Sequence, residues 1–187
     1  HVNDIFQDSN DILWLATWGN AGLYSSADGG ETWSAASPGG LGNSIVYTIT
    51  ENAAGGILYV SMDNGLVFRS LNGGAAWQQV NSLPAVSAHT PWSMATHPSL
   101  AGVVYAGTPG AGVYVSEDFG FTWAVLDDPS TVADENGALL DSDSSGDDFG
   151  GHVFDLEFSP DSEYLFAGTG KGVWRADLST NGPTVND

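Results

Sequence analysis

The densest group of side chains that could bind a ligand lies in one short acidic segment. Residues 141–148 read DSDSSGDD, and the oxygen ligands that we single out there are Asp141, Asp143, Ser145, Asp147 and Asp148. Carboxylate and hydroxyl oxygens held in a glycine-containing loop are the ligands that Ca²⁺ prefers. Calcium is therefore the cofactor that this segment would take. The alternative is a solvated acidic loop, and the sequence leaves both interpretations open.

The start of this segment resembles the calcium loop of EF-hand proteins. It departs from that pattern because His152 stands where the loop's closing glutamate would be, and because no helix is predicted on either side. The resemblance therefore implies a partial loop with the weak affinity of extracellular calcium modules.

A second candidate for chemistry is Asp63, in the predicted turn of SMDNGLVF. A carboxylate can act as an acid, base or nucleophile on a glycoside when a second carboxylate faces it. The sequence shows no equally placed partner for Asp63. The alternative is a structural turn residue that precedes Asn64 and Gly65.

Two tryptophans, Trp18 and Trp92, fall outside the predicted repeat positions and are candidate ligand-binding residues. An indole ring on an exposed loop can stack on the face of a sugar or anchor a protein partner. The alternative is ordinary packing between repeats.

The charge of the chain restricts its partners. Three Lys and Arg residues stand against 23 Asp and Glu residues, which gives a formal charge of −20 at pH 7. Nucleic acid is a poor partner because phosphate binding requires clustered cations, and anionic membrane surfaces are poor partners for the same reason. No apolar run is long enough for membrane insertion. Such acidity fits secretion, a salty environment or calcium binding, and we expect an extracellular or cell-surface location.

A segment that occurs three times in the sequence indicates which strands and turns position these candidates. SADGGETW (26–33), SLNGGAAW (70–77) and SEDFGFTW (116–123) share one pattern and are termed clasps below. Ser and Asp side chains can accept hydrogen bonds from turn amides, and the glycines can adopt positive φ angles. We therefore assign a structural role to Ser26, Asp28, Gly30, Thr32, Trp33, Ser70, Asn72, Gly74, Trp77, Ser116, Asp118, Gly120, Thr122 and Trp123.

Short apolar segments of strand character surround each clasp, and no helical period occurs between them. Four short antiparallel strands in every forty-odd residues are typical of a β-propeller blade. The sequence predicts an all-β propeller of about four four-stranded antiparallel blades, near residues 1–38, 44–82, 91–127 and 152–180. An acidic insertion occupies 127–151, and the last blade lacks both a clasp and a fourth strand.

The clasps resemble the Asp-box, or BNR repeat, S-x-D-x-G-x-T-W. The first and third match every specified position, whereas the second has Asn72 for Asp and Ala76 for Thr. Asp-box propellers include sialidases, xyloglucanases, sortilin-type receptors and photosystem assembly factors. The resemblance implies a propeller fold, but one scaffold hosts many activities.

The enzymes among these families make different demands. A sialidase binds its substrate carboxylate with three arginines, and this chain has only Arg69 and Arg175, so sialidase activity is not expected. In xyloglucanases a catalytic Asp occupies a similar loop, so the resemblance implies Asp63 as a catalytic candidate.

Two functions follow from these patterns. The first is a non-catalytic extracellular recognition, adhesion or scaffold propeller that binds a protein or a glycan. The alternative is a portion of a glycan-cleaving, xyloglucanase-like glycoside hydrolase. An incomplete fourth blade also leaves bare sheet faces, so we expect self-association or a place within a larger propeller.

Overall fold

The computed structural model of the protein describes residues 1–18, 22–36, 44–80, 83, 90–110, 112–126, 152–170 and 172–178. The acidic segment, with Asp141, Asp143, Ser145, Asp147 and Asp148, lies outside these residues. Within them the protein is built from antiparallel sheets, and one short 3₁₀ helix, Asp63–Gly65, is the helical element. No helix in these ranges is both apolar enough and long enough to cross a bilayer.

The sheets follow one another along the chain as blades, each ordered from the innermost strand outward. Blade 1 contains β1 (Val2–Gln7), β2 (Leu13–Thr17), β3 (Leu23–Ser26) and β4 (Ser34–Ala35). Blade 2 contains β5 (Val46–Glu51), β6 (Leu58–Met62), β7 (Leu66–Ser70) and β8 (Gln78–Gln79). Blade 3 contains β9 (Ser93–Thr96), β10 (Val104–Gly107), β11 (Val113–Ser116) and β12 (Ala124–Val125). Blade 4 contains β13 (Val153–Phe158), β14 (Tyr164–Thr169) and β15 (Gly172–Asp177).

The predicted fold class, an all-β propeller with four blades, is confirmed. Leucine, valine and aromatic residues recur in the second and third strands of the blades, where such side chains pack well on a pleated surface. In the part of the chain that the structure describes, blade 4 has three strands and the other blades have four. The predicted blade ends at residues 38, 82, 127 and 180 lie outside the described residues.

Hydrophobic side chains of neighbouring blades interdigitate to form the core. Within the described residues, three clusters of buried side chains join blade 1 to blade 2, blade 2 to blade 3, and blade 3 to blade 4. At the first of these interfaces Trp14 and Trp77 meet edge to face, with ring centroids 6.3 Å apart. Such aromatic contacts add to the free energy of burial, so the interfaces stabilise the whole array.

Three of the four innermost strands share an irregularity near their beginnings. The pairing register shifts between Val2 and Asp4 in β1, between Val46 and Thr48 in β5, and at the same point of β13. A bulge of this kind adds one residue and changes the direction of its side chain. This local feature decides which side chains reach the centre of the propeller.

Candidate functional site

A channel lies between the innermost strands of the four blades. Its cavity has a volume of about 460 Å³, and its walls come from β1, β5, β9 and β13 together with Trp92 and Pro98. Cavities of this size at the centre of a repeated fold are the usual places for ligands. The channel is therefore the candidate functional site.

The bulged positions of three inner strands, and the residue before the fourth, contribute to the channel wall. Asn3, Tyr47 and Phe154 occupy this position in blades 1, 2 and 4, and Trp92 immediately precedes β9 in blade 3. All four line the channel. Three of these four residues, Tyr47, Trp92 and Phe154, are aromatic, so the channel has a partly aromatic lining.

Trp92 and Phe154 form a stacked pair across the interface between blades 3 and 4. Their ring centroids are 5.5 Å apart, and their planes differ by 25°. The imidazole of His152 lies against both rings, with its centroid 5.5 Å from Trp92 and 6.2 Å from Phe154. Half of the Phe154 surface remains exposed, so this aromatic stack is accessible to a ligand.

Trp18 is absent from the described residues that line the channel, and it does not join the stack of Trp92. Its backbone N–H donates to the carbonyl of His1 over 2.8 Å, and its exposed ring contacts Tyr47 at a centroid distance of 6.0 Å. The two tryptophans singled out in the sequence therefore belong to different aromatic pairs.

Asp63 begins the 3₁₀ helix that follows β6, and its amide donates to the carbonyl of Ile45 over 3.1 Å. Burial, together with the negative charge of Asp63, raises the pKa of Tyr47 above its usual range. The Oδ1 atom of Asp63 is buried and has no hydrogen-bond partner among the described residues. Asp63 is absent from the described residues that line the channel. The structure therefore does not pair Asp63 with any of the carboxylates that line the channel.

Four carboxylates do line the channel, and two of them accept hydrogen bonds from a neighbouring blade. Asp4 accepts hydrogen bonds from the Thr48 hydroxyl and the Ile49 amide at 2.9 and 3.0 Å. Glu51 accepts from the amide and hydroxyl of Ser9 and from the amide of Gly56, which ties blade 1 to the turn after β5. Asp155 and Glu157 are exposed in blade 4, so they give that wall a negative potential.

The clasps lie away from the channel, between the third and fourth strands of their blades. In the first clasp the Ser26 hydroxyl accepts a hydrogen bond from the Gly30 amide at 2.9 Å and donates to Asp28 at 2.6 Å. Ser70 and Ser116 repeat both contacts in the other clasps. Asp28 and Asp118 also accept from the amide and hydroxyl of Thr32 and Thr122, respectively.

These contacts influence the acidity of the two clasp carboxylates. Hydrogen bonds from the Ser26 and Thr32 hydroxyls hold the pKa of Asp28 well below its ordinary value. Burial alone would raise the pKa of Asp118, but hydrogen bonds from Thr122 and Ser116 outweigh it and lower the pKa. The second clasp has no such carboxylate: Asn72 accepts from Ser70 and the Ala76 amide at 2.9 Å each.

The two described arginines are also remote from the channel. Arg69 is buried, donates to the carbonyl of Phe119 over 3.2 Å and lies 4.1 Å above the ring of Phe121. Arg175 lies 4.5 Å above the ring of Tyr164. Neither lines the channel, so the described residues contain no cluster of guanidinium groups that could bind a substrate carboxylate.

Sequence analysis singled out Trp18, Trp92 and Asp63, but did not identify Tyr47, Phe154 or His152. The available signal was the second residue of each inner strand in VND, VYT and VFD, where a bulge was not expected. No group of three or more metal-binding side chains occurs in the ranges that the structure describes, and the predicted calcium ligands lie outside them.

Comparison with curated proteins gives one partial match. No family model matches the chain. The chain is 32% identical over 123 residues to a probable oligoxyloglucan-reducing end-specific xyloglucanase of Neosartorya fischeri, a match that covers 62% of this chain and 14% of that protein. The chain therefore spans about one seventh of the length of this curated relative.

Solved structures share the fold at lower identity. An ancestral GH74 enzyme superposes with a TM-score of 0.68 and 21% identity, over 97% of this chain and 23% of the enzyme. YCF48 from Cyanidioschyzon merolae superposes with a TM-score of 0.64 and 19% identity, over the whole of this chain and 56% of YCF48. These neighbours establish the propeller fold.

Proposed function

We propose that this chain is a non-catalytic recognition propeller, located outside the cell, that binds a neutral glycan in its central channel. The observation that carries the proposal is the accessible stack of Trp92, Phe154 and His152. Aromatic faces bind the apolar faces of sugar rings, and the channel is large enough for a few sugar units. The clasps serve this function as structural turns of the Asp-box type.

The charge of the channel restricts the kind of glycan. Asp155 and Glu157 are exposed beside the aromatic stack, and the whole chain carries a charge of −20. A polyanionic glycan would be repelled, whereas a neutral chain of the xyloglucan type would not be. The partial identity to a xyloglucanase supports this class of ligand.

Isothermal calorimetry with neutral xyloglucan oligosaccharides tests this function. We expect Trp92→Ala to weaken binding by at least about tenfold, which corresponds to about 1.4 kcal/mol. Trp33→Ala is the matched control because Trp33 belongs to a clasp outside the channel, and it should leave the affinity unchanged. Equal affinities of the wild type and the Trp92 variant for every glycan would contradict the proposal, and binding of protein partners alone would replace it with a protein-recognition role.

A second candidate function, part of a glycan-cleaving hydrolase, is favoured by the partial identity to the xyloglucanase and by the buried oxygen of Asp63. Glycoside cleavage requires two carboxylates across the scissile bond, and Asp63 is absent from the described residues that line the channel. Release of new reducing ends from xyloglucan, lost in Asp63→Asn, would establish this alternative. Binding without release would exclude it for this chain.

A further inference from the structure

Every blade has two faces, one toward the preceding blade and one toward the following blade, termed here the upstream face and the downstream face. The three core clusters of the described residues cover the faces between blades 1 and 2, 2 and 3, and 3 and 4. No cluster of these residues joins blade 4 to blade 1. The upstream face of blade 1 and the downstream face of blade 4 therefore lack a neighbouring blade in this part of the chain.

Because the blades are repeats, the exposed fractions of equivalent side chains show whether a downstream face is covered. Val173 pairs with Gly168 in blade 4, and its equivalents by strand pairing are Leu23, Val67 and Val113 in blades 1, 2 and 3. Those three side chains are at most 2% exposed, whereas Val173 is 75% exposed. Phe166 is likewise half-buried, although its equivalents Trp14, Tyr59 and Tyr105 are buried.

The upstream face of blade 1 departs from its equivalents in the same way. Val2 and Ile5 are 60% and 61% exposed, whereas Val46 and Ile49, which occupy these positions in blade 2, are buried. Both terminal faces thus present apolar side chains that the fold covers elsewhere. Apolar side chains that are exposed only where a neighbouring blade is missing indicate an interaction site.

A polar contact between blades 1 and 2 indicates what the downstream face of blade 4 would bind. Asp4, opposite Ala16, accepts a hydrogen bond from the Thr48 hydroxyl of the next blade. Asp155, opposite Gly168, occupies the same position in blade 4. The same position in blade 3 carries Ser93, which has a hydroxyl. A blade that follows Asp155 would therefore match it with a serine or threonine hydroxyl.

A second contact, between blades 2 and 3, sets a second requirement. Arg69, paired with Tyr59 in blade 2, reaches the clasp of blade 3 through the Phe119 carbonyl and the Phe121 ring. Arg175, paired with Phe166, occupies the position of Arg69 in blade 4. The downstream face of blade 4 therefore carries a cation suited to an aromatic clasp.

We propose that the downstream face of blade 4 binds a further clasp-bearing blade, with a hydroxyl at the Thr48 position of its inner strand and an aromatic residue at the Phe121 position of its clasp. A second copy of this chain does not fit. Its blade 1 would bring Asp4 against Asp155, and two carboxylates at hydrogen-bond distance repel each other. Its clasp would offer Glu31 to Arg175, but exposed ion pairs contribute little.

The chain itself contains a blade that meets both requirements and one that meets neither. Blade 3 has Ser93 and Phe121 at the two positions, whereas blade 1 has Asp4 and Glu31. The test therefore compares two extended chains, in which either residues 90–126 or residues 1–36 are appended after residue 187. The full chain is present in both, so the downstream face of blade 4 is intact.

A single thiol reports whether that face is covered, because the chain contains no cysteine. We expect maleimide to label Val173→Cys rapidly in the unextended chain, and at least about tenfold more slowly in the chain extended with residues 90–126, because a covered side chain reacts only during local opening. The chain extended with residues 1–36 should be labelled as fast as the unextended one. Leu71→Cys, 59% exposed in the clasp of blade 2, should be labelled equally fast in all three.

A second variant removes the proposed contact between Arg175 and the aromatic residue of the appended clasp. Arg175→Ala in the chain extended with residues 90–126 should restore rapid labelling at position 173. The proposal would be overturned if extension with residues 90–126 left labelling at position 173 unchanged, or if both extensions protected it equally. A protease-sensitive appended segment together with an unprotected thiol at position 173 would overturn it as well. Protection that appears in the unextended chain with rising concentration, together with a dimer in sedimentation, would overturn it in favour of a second copy.

Discussion

The indole ring of Trp14 in blade 1 occupies the space that a Cβ atom at Gly74 would fill in the clasp of blade 2. Trp14 also donates from Nε1 to Asp8 over 2.9 Å, which holds the ring in this orientation. Gly74 has φ +83°, so the position requires glycine for its backbone as well as for its contact. One residue thus serves the turn and the blade interface together.

We predict that Gly74→Ala destabilises the protein more than Gly73→Ala. Both positions have positive φ angles, but an added Cβ at Gly73 meets no atom within 4 Å. The strain of the backbone should therefore be similar, and the overlap with Trp14 should add about 1–3 kcal/mol for Gly74→Ala. Urea unfolding of the two variants measures this difference, and equal midpoints would show that the ring of Trp14 moves aside without cost.

The clasp tryptophans should differ in their contribution to stability. Trp77 and Trp123 are buried against the preceding blade, whereas Trp33 of the first clasp is only half-buried because no blade covers that face among the described residues. We expect Trp77→Ala and Trp123→Ala to cost about 3–5 kcal/mol each. Trp33→Ala should cost clearly less, and thermal unfolding of the three variants checks the order. A loss for Trp33→Ala as large as the other two would indicate that blade 1 is covered in solution.

Stability should decrease in acid because two clasp carboxylates have lowered pKa values. The folded pKa values of Asp28 and Asp118 lie below the ordinary value of 3.8. Their contribution is therefore fully present above about pH 4 and is lost as the pH falls through the folded values. Urea midpoints measured from pH 7 to pH 2 should show this loss.

The second clasp provides the control for that pH dependence. Asn72 makes the same contacts with Ser70 and the following amide without a titrating group. The double variant Asp28→Asn, Asp118→Asn should therefore keep the clasps but show a weaker dependence on pH below 4. An unchanged acid transition would assign it to other carboxylates.

Calcium binding by the acidic segment remains a separate prediction. We expect titration calorimetry to detect heat with millimolar Ca²⁺, typical of weak extracellular sites. The double variant Asp141→Ala, Asp143→Ala should abolish that heat, and Mg²⁺ serves as the comparison ion because it demands a stricter geometry. The absence of both heat and a change in melting temperature for the wild type would favour the solvated loop.

The sequence by itself determined the blade pattern and the clasps. Each clasp depends on hydrogen bonds between residues two to four positions apart, such as those from Ser26 to Asp28 and from Gly30 to Ser26. Each blade depends on strands that follow one another through short turns. Interactions of such short range leave their pattern in the order of residue types, so spacing and composition were enough to predict them.

Only the tertiary structure decided which residues meet between blades. Tyr47, Trp92 and Phe154 reach the channel because bulges and blade packing direct them there, and Arg69 finds Phe121 across an interface. The predicted candidates were separated in the same way, since Trp18 contacts Tyr47, Trp92 stacks on Phe154, and Asp63 is absent from the described channel-lining residues. These contacts join residues of different blades, and their geometry depends on how sheets twist and pack, which the local order of residues does not encode.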